Sequence, residues 1–278
     1  MMSAFSTYTS TKPYLICIDS DGCVMDTMNV KHFECFGPMV IEEWNLNSHQ
    51  DEILELWNHL NLFSKTRGIN RFQGLSLLFS TLAMRGIEIS GREALAKWCE
   101  VTTSLSNAAL QQEIDRTNQA CLIKAMSWSQ KVNEAIQALP KVDCVFPNAK
   151  EAMAYLHEYA DIAIVSSANK EAVVEEWTRL NCMQYVSMLC GQDAGTKAFC
   201  ISQLKQHYDS YHVLMVGDAL SDLHAAQENH VPFYPILAAH EASSWARLKE
   251  DVGPRFLAGQ LDNVEIKKLA VEMEQNLS

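Results

Sequence analysis

Two carboxylates stand one residue apart near the start of the chain. Asp19 and Asp21 directly follow the apolar run Leu15–Ile18, which is typical of a buried strand. Like charges at this spacing repel one another, so placing both at one strand end is costly unless they share a task. A turn would explain the pair Asp21-Gly22, but it would not explain the first carboxylate. We therefore expect a cation or an anionic substrate to be handled jointly by both groups.

Other polar side chains follow later strands of the predicted sheet. Each has an ordinary explanation when taken alone, such as a helix cap or a surface lysine. In a parallel sheet, however, the carboxyl ends of the strands share one edge, and sites lie along that edge. The polar residues at these positions are Ser166, Lys197, Asp218 and Asp222. We expect them to converge with Asp19 and Asp21.

This combination of residue types favours phosphoryl chemistry. Several carboxylates at one point suit a hard divalent cation with oxygen ligands, and Mg²⁺ is the usual choice. A hydroxyl and an ammonium group suit phosphate oxygens. A carboxylate that the metal does not occupy can attack phosphorus. A second carboxylate two positions on can protonate the leaving oxygen and then deprotonate water.

The C-terminal half of the sequence predicts the elements that hold these residues. Tyr14–Ile18 is the first predicted strand, and strands alternate with helices after Pro140. Continuous apolar strands that alternate with helices indicate an α/β fold with a Rossmann-like parallel sheet covered on both faces. The later strands are predicted over 161–165, 185–189, 212–216 and 231–236. The helices are predicted over 149–159, 170–180, 196–207 and 221–228.

The segment from about Val30 to Leu139 has only helical periodicity. Three of its later helices are predicted over 92–101, 110–124 and 130–139. We therefore predict an α/β core of residues 1–27 and 140–278, interrupted by an all-helical domain of residues 28–139.

Composition excludes several classes of partner. The 22 basic and 34 acidic residues give a formal net charge of −12, which disfavours nucleic acid and anionic membrane surfaces. No segment has the length and apolarity of a transmembrane span, and the polar N-terminus lacks the pattern of a signal peptide. The nine cysteines form no Cys-x-x-Cys pair, which favours buried free thiols. We expect a cytoplasmic protein that binds a small anionic molecule.

Four short segments resemble the motifs of the haloacid dehalogenase (HAD) superfamily, in the order that the family has them. The segment Asp19-Ser20-Asp21-Gly22-Cys23-Val24-Met25-Asp26-Thr27 resembles the first motif. The second motif is similar to Ile164-Val165-Ser166, and the third to Lys197 within Gly195-Thr196-Lys197. The fourth motif is similar to Val216-Gly217-Asp218-Ala219-Leu220-Ser221-Asp222. The helical insert corresponds in position to a cap domain between the first and second motifs.

The resemblance implies catalytic and metal-binding roles. Asp19 would be the nucleophile that forms an aspartyl-phosphate, and Asp21 would be the general acid and base. Mg²⁺ would be held by Asp19, by Asp218 and by the backbone carbonyl of Asp21. Asp222 would be a further ligand or a partner of the ligands.

The resemblance also implies the groups that hold the phosphoryl group. Ser166 and Lys197 would bind it, with Lys197 also neutralising Asp19. Backbone N–H groups around Asp21 and Gly22 would complete an anion cradle. The substrate would be a small phosphorylated metabolite.

Asp21 distinguishes branches of the family. Dehalogenating members lack this acid/base, because a halide leaving group needs no proton, so its presence favours a phosphomonoester hydrolase. A sugar phosphomutase similar to β-phosphoglucomutase would share every core residue and is the main alternative. A phosphonate-cleaving enzyme would need a cap lysine, for which Lys31 and Lys65 are candidates. A non-catalytic metal-binding regulator is the alternative from another class.

The predicted cap contains one dense basic loop, Ser64–Arg71, in an otherwise acidic chain. The loop is either a solvated connection between helices or a site for a second anionic group or the hydroxyls of the substrate. Arg67 and Arg71 are its candidate binding residues. Arg67 is favoured because Gly68 beside it permits an unusual turn.

Overall fold

The structure is a computed structural model that describes residues 4–140, 144–209 and 211–277. By its internal contacts the chain separates into two compact units. One comprises Met1–Met28 with Asp143–Ser278, and the other comprises Asn29–Val142. The breaks fall after residues 28 and 142, close to the predicted domain boundaries after residues 27 and 139.

The first unit is built on a five-stranded sheet. All neighbouring strands run parallel, and their order across the sheet is β3-β2-β1-β4-β5. The strands are β1 (Tyr14–Ile18), β2 (Ala160–Val165), β3 (Met188–Cys190), β4 (Val213–Gly217) and β5 (Phe233–Pro235). The prediction of an α/β fold with a Rossmann-like parallel sheet is confirmed.

Helices cover the sheet, and the three central strands β2, β1 and β4 are almost wholly buried. Burial on both faces explains why these strands are continuous apolar runs without alternation. The α-helices of this unit, after its first strand, are Ala149–Tyr159, Lys170–Arg179, Lys197–Leu204, Leu220–Glu228, Glu241–Arg247, Gly253–Leu257 and Asn263–Asn276. Shorter helical turns are Ala4–Thr7, Met183–Tyr185, Gln192–Ala194, Lys205–His207 and Leu248–Val252.

The strand register brings the ends of the central strands level. Ile18 of β1 pairs with Ile164 of β2 and with Val216 of β4. The residues that follow these strands therefore leave the sheet along one edge, as the sequence analysis expects for the polar groups at strand ends.

The regular structure described in the second unit is entirely helical. Its core is rich in aromatic rings, with Trp57 and Trp128 fully buried and 5.8 Å apart between ring centroids. The helices are Met28–Lys31, which begins at the break between the units, then Gly37–Trp44, Gln50–Leu62, Arg71–Met84, Arg92–Val101, Asn107–Thr117 and Ala120–Ala138. A π-helical turn, His32–Phe36, and a 3₁₀ turn, Asn47–His49, connect the first of these. Among the described residues, no helix combines the length and the apolar character needed to cross a membrane.

The predicted single helix over 110–124 is wrong. The chain forms two helices there, which are separated at Asn118 in the left-handed conformation with φ 50°. Asparagine tolerates this conformation better than most residues, and its N–H bonds back to the carbonyl of Ile114. The predicted helix over 130–139 is the second half of Ala120–Ala138.

The predicted strand over 185–189 is also misplaced. Met183–Tyr185 is a 3₁₀ turn, and β3 begins at Met188. The three helices between Glu241 and Asn276 are absent from the sequence-based prediction.

Candidate active site

Asp19 leaves β1 at the carboxyl edge of the sheet. Its backbone N–H donates to the carbonyl of Val216 at 3.0 Å, which continues the pairing with β4 by one residue. Its side chain is buried, with 6% exposed. The backbone N–H of Ser20 donates to the Asp19 carboxylate at 2.7 Å. The first carboxylate is therefore held by the sheet and by its own loop.

A tight loop follows Asp19. The carbonyl of Ser20 accepts hydrogen bonds from three successive N–H groups, those of Cys23, Val24 and Met25, at 3.0 to 3.3 Å. Gly22 has φ 79°, a conformation that a residue with a Cβ rarely adopts. The Ser20 hydroxyl points into the core, where it accepts from the indole N–H of Trp177 at 2.8 Å. Glycine is thus required by the backbone of this loop.

Asp21 lies two residues after Asp19 in the sequence, and it is half-buried. Its Oδ1 accepts a hydrogen bond from the hydroxyl of Thr27 at 2.6 Å. Thr27 itself is fully buried, so it fixes one oxygen of this carboxylate from inside the fold.

Lys197 connects two of the predicted carboxylates. Its Nζ lies 2.6 Å from Oδ2 of Asp19 and 2.5 Å from Oδ1 of Asp222. Lys197 is the first residue of helix Lys197–Leu204, and the side chain of Thr196 caps that helix by accepting from the N–H of Phe199. The cap sets the direction in which the lysine leaves the helix.

Asp222 is completely buried and is engaged through both oxygens. Oδ1 accepts from Lys197, while Oδ2 accepts from the N–H groups of Asp218 and Ala219 at 3.2 and 3.1 Å. The side chain folds back over the end of β4. A Cβ added at Gly217 would lie 2.4 Å from Cβ and Cγ of Asp222, so only glycine fits there.

Three carboxylates gather at this edge. One side-chain oxygen from each of Asp19, Asp218 and Asp222 lies within 4.8 Å of the other two, and all three residues are buried. The ammonium of Lys197 contacts two of the three, Asp19 and Asp222. Three carboxylates exceed this one ammonium in number, and the donor atoms are the hard oxygens that Mg²⁺ prefers. The cluster fits a divalent cation.

Burial and charge act against one another in this cluster. Burial raises the pKa of Asp19 to about 7, although the Lys197 ammonium acts in the opposite direction. Burial also raises the pKa of Asp222, again against the effect of Lys197. For Lys197, burial would lower the pKa, but the two carboxylates outweigh it and the pKa is raised. The ammonium therefore stays protonated at neutral pH.

Ser166 directly follows β2 and is buried, with 4% exposed. Its N–H donates to the carbonyl of Cys190 at 2.9 Å, and its hydroxyl oxygen accepts from the N–H of Ala168 at 3.1 Å. β2 pairs with β1 in the register that leaves Ser166 and Asp19 at the same edge.

The two predicted arginines belong to the helical unit. Arg67 is buried, with 4% exposed, and its Nη1 donates to the carbonyl of Leu62 at 2.7 Å. Arg71 donates from Nη1 to Asn133 and lies over the ring of Phe36. Their role in substrate binding stays a prediction.

Sequence reasoning assigned no role to Gly217 or Thr27, although both shape the site. Gly217 could have been found from its position between a buried strand and an aspartate, where close packing often excludes a side chain. Thr27 stands in the first motif, but only the folded loop shows that its hydroxyl reaches Asp21.

The fold and the site are those of an α/β enzyme, with a parallel sheet that has carboxylates and a lysine at its carboxyl edge. A model of the haloacid dehalogenase-like hydrolase family matches residues 69–236, which is more than half of the chain. The chain therefore belongs to this family of hydrolases, and the predicted membership is confirmed. The match begins after the first motif, so the assignment of Asp19 and Asp21 depends on the geometry above.

Two solved structures share this fold. One is a protein from Bacteroides fragilis provisionally assigned as a haloacid dehalogenase-like hydrolase, with 14% identity, 84% of this chain and 93% of that chain covered, and a TM-score of 0.52. The other is from Lactobacillus delbrueckii subsp. bulgaricus and is provisionally assigned as a phosphoglycolate phosphatase. It has 15% identity, 91% of this chain and 100% of that chain covered, and a TM-score of 0.50. No curated protein is a significant match to the sequence.

Proposed function

We propose that this protein is a Mg²⁺-dependent phosphomonoester hydrolase that acts on a small phosphorylated metabolite through an aspartyl-phosphate at Asp19. The observation that carries the proposal is the position of Lys197, whose ammonium contacts both Asp19 and Asp222 within 2.6 Å. An ammonium between the carboxylates offsets the electrostatic repulsion between the negative nucleophile and the negative phosphoryl group that it attacks.

Asp19, Asp218 and the backbone carbonyl of Asp21 are the proposed holders of the metal. When bound, Mg²⁺ neutralises phosphate oxygens and orients the ester. Asp222 acts differently, because it is completely buried and its Oδ2 accepts from two N–H groups of the loop after β4, while Asp19 keeps some exposure and accepts one backbone N–H. We assign Asp222 to holding Lys197 and the loop after β4 in place.

Asp19 and Asp21 carry the covalent steps. An oxygen of Asp19 forms a bond to phosphorus as the ester P–O bond breaks, and protonated Asp21 gives its proton to the leaving oxygen. Asp21 then takes a proton from water, which attacks phosphorus and releases phosphate from Asp19. Thr27 keeps one oxygen of Asp21 hydrogen-bonded at 2.6 Å, which limits rotation of the carboxyl group.

Lys197 and Ser166 bind the phosphoryl oxygens. The Lys197 ammonium balances negative charge on Asp19 and on the phosphoryl group. Ser166 is held at the end of β2, and its hydroxyl hydrogen is available for donation because its oxygen is the acceptor in the bond from Ala168. The N–H groups of Gly22, Cys23, Val24 and Met25 donate within the loop, to the carbonyls of Met25 and Ser20, so we do not assign them to the phosphoryl group.

The proposal is tested by replacing Asp19 with asparagine. Asp19→Asn should lower phosphate release from p-nitrophenyl phosphate with Mg²⁺ by at least about 10³-fold, because the nucleophile is lost. Asp209→Asn is a matched control, since Asp209 precedes β4 and its side chain is 89% exposed. Turnover by Asp19→Asn at more than a tenth of the wild-type rate would disprove the assignment.

Product analysis separates hydrolysis from the mutase alternative. With sugar phosphates as substrates, a hydrolase releases inorganic phosphate in step with substrate loss. A phosphomutase would give an isomerised sugar phosphate and little free phosphate. Acid-quenched protein from the first turnover should contain a hydroxylamine-sensitive acyl phosphate, which Asp19→Asn should lack.

A further inference from the structure

The sheet unit contains two tryptophans, and both donate to the tight loop that follows β1. The indole N–H of Trp177 donates to the hydroxyl oxygen of Ser20 at 2.8 Å. The indole N–H of Trp245 donates to the carbonyl of Cys23 at 2.9 Å. Both rings are fully buried, and so are Ser20 and Cys23. The two hydrogen bonds therefore reach the loop from inside the fold, on either side of Asp21-Gly22.

The two tryptophans come from different parts of the chain. Trp177 belongs to helix Lys170–Arg179, which follows β2, and Trp245 belongs to helix Glu241–Arg247, which follows β5. A buried indole N–H needs an acceptor, and for packing alone any nearby carbonyl would serve. Convergence of both donors on one short loop indicates that the position of this loop is what the two contacts control.

The loop connects these contacts to the carboxylates at the carboxyl edge of the sheet. The N–H of Ser20 donates to the Asp19 carboxylate at 2.7 Å, and the carbonyl of Ser20 accepts from three N–H groups further along the loop. A shift of Ser20 would therefore turn the Asp19 carboxylate. It would also move the backbone at Asp21, which lies between Ser20 and Cys23.

We infer that Trp177 and Trp245 are positioning residues, which hold the loop so that Asp19 and Asp21 act on the same phosphoryl group. This inference rests on the proposed function and adds two residues to it. Catalytic side chains must be held within about 0.5 Å of the productive geometry, and rigid supporting groups supply that precision. Each indole acts through the loop rather than by touching the substrate.

The inference is tested first by steady-state kinetics. Trp177→Phe and Trp245→Phe each remove one donor and keep an aromatic ring. For each variant we expect kcat per folded molecule for p-nitrophenyl phosphate, at saturating Mg²⁺, to fall by about 10-fold or more. The value of KM should change by less than about 2-fold, because the groups that bind the phosphoryl oxygens are untouched.

Trp128→Phe is the matched control. Trp128 is also fully buried, and its indole N–H donates to the carbonyl of Phe36 at 3.2 Å within the helical unit. This variant should lose stability as the other two do and leave kcat per folded molecule unchanged. An unchanged kcat in Trp177→Phe or in Trp245→Phe would overturn the inference for that residue, and an equal fall in Trp128→Phe would overturn it for both.

The hydrogen bond to Ser20 is also tested from its acceptor. Ser20→Ala changes the packed volume little, so it serves if Trp177→Phe does not fold. We expect the same fall in kcat. The double variant Trp177→Phe/Ser20→Ala should be no slower than the slower single variant, because both changes remove one interaction. Losses that multiply in the double variant would show that the ring and the hydroxyl act separately, against the inference.

A second measurement does not depend on turnover. The indole N–H signals of the full-length protein, labelled with ¹⁵N-tryptophan, are assigned from their loss in the phenylalanine variants. Chelator-treated protein is then titrated with MgCl₂. The signals of Trp177 and Trp245 should shift and saturate together, because the loop connects both rings to the carboxylate cluster, and the signal of Trp128 should not move. No saturable shift at Trp177 and Trp245 would overturn the inference.

The two measurements separate this inference from the proposed function. If the wild-type protein hydrolyses no phosphate ester but Mg²⁺ shifts both indole signals, the loop is held as inferred and the hydrolase assignment fails. If the protein hydrolyses esters and kcat is unchanged in both phenylalanine variants, the hydrolase assignment stands and the positioning role fails. If Mg²⁺ moves neither signal, the positioning role fails whatever the protein hydrolyses.

Discussion

Lys197 in the sheet unit has a side chain that is only 11% exposed and Arg71 in the helical unit is half-buried, yet the surroundings of these two cations differ. The Lys197 ammonium contacts two buried carboxylates. Within the described part of the chain, the Arg71 guanidinium contacts neutral groups: Ser129, Asn133 and the ring of Phe36. The first cation is built into a network that has an excess of negative charge, and the second has no counter-charge in the described residues.

The difference shows that burial of a charge can have two meanings. In the sheet unit, Lys197 is needed for the carboxylates to coexist, so it contributes to the fold as well as to the proposed chemistry. In the helical unit, Arg71 is tolerated rather than required by the fold, because its neighbours need only a donor and a flat surface.

Removing each cation gives the largest expected contrast. Lys197→Met leaves two buried carboxylates facing each other and should lower the free energy of unfolding by about 3–5 kcal/mol. Arg71→Met loses hydrogen bonds but also the cost of burying a charge, so it should lower the free energy by about 1 kcal/mol or less. Both are measured by urea unfolding at pH 7.5 in a metal chelator.

An exposed ion pair provides the control for this contrast. Lys131 contacts Glu42 and Glu43 at the surface, and Lys131→Met should leave the unfolding midpoint unchanged within error. Equal losses for Lys197→Met and Arg71→Met would remove the distinction between the two cations.

Gly217→Ala disturbs the carboxylate network without removing any charge. The added Cβ would meet Asp222 at 2.4 Å, which forces that side chain away from Lys197 or shifts the end of β4. We expect a loss of stability of about 1–3 kcal/mol, typical of overpacking in a core. Activity towards p-nitrophenyl phosphate should fall by a larger factor than the stability loss explains, and this is measured below the unfolding transition.

Gly86→Ala separates backbone strain from damage to the site. Gly86 has φ 85°, and a Cβ added there would have no atom within 4 Å, so alanine adds backbone strain and no clash. It should lower stability and leave the rate constant per folded molecule unchanged. If Gly217→Ala behaved in the same way, the packing of Gly217 against Asp222 would have no part in positioning Lys197.

The sequence predicted the sheet well because its signals are local. Continuous apolar runs marked β1, β2 and β4 to within one residue at each end. Polar residues after those runs predicted which edge carries the site. β3 was misplaced because only three residues pair, and a preceding 3₁₀ turn carries similar apolar residues.

The contacts between side chains could not be predicted in this way. Nothing local shows that Asp222 uses both oxygens within the protein, or that Gly217 must lack a Cβ to make room for it. The basic loop was recognised as a cluster, but Arg67 was favoured over Arg71 because of the neighbouring glycine. Only the packing of helices Arg71–Met84 and Ala120–Ala138 shows which edge of Arg71 is occupied.

Asp161 is a buried carboxylate held by neutral donors, and it tests whether a buried charge needs a counter-ion at all. Asp161 is 1% exposed, and neutral hydrogen-bond donors surround its carboxylate at the start of β2. The donors are the N–H groups of Thr11 and Lys12 and the hydroxyls of Thr11, Ser187 and Tyr208, at 2.5 to 3.2 Å. Burial alone would raise the pKa of Asp161, but these hydrogen bonds outweigh it and the pKa is lowered.

The lowered pKa of Asp161 in the folded state fixes the direction in which the free energy of unfolding changes with pH. This change is the smallest effect that we predict. Ionised Asp161 contributes stability above its unfolded-state pKa of about 3.9, and this contribution is lost as the pH falls through the lower folded-state value. Asp161→Asn cannot titrate, so the difference in unfolding free energy between wild type and Asp161→Asn should be constant from pH 7 to about pH 5 and should shrink towards pH 3. The measurement is urea unfolding across this range. A difference that stays constant to pH 3, or grows as the pH falls, would show that neutral donors do not stabilise this buried carboxylate, and would favour a counter-ion as the general requirement.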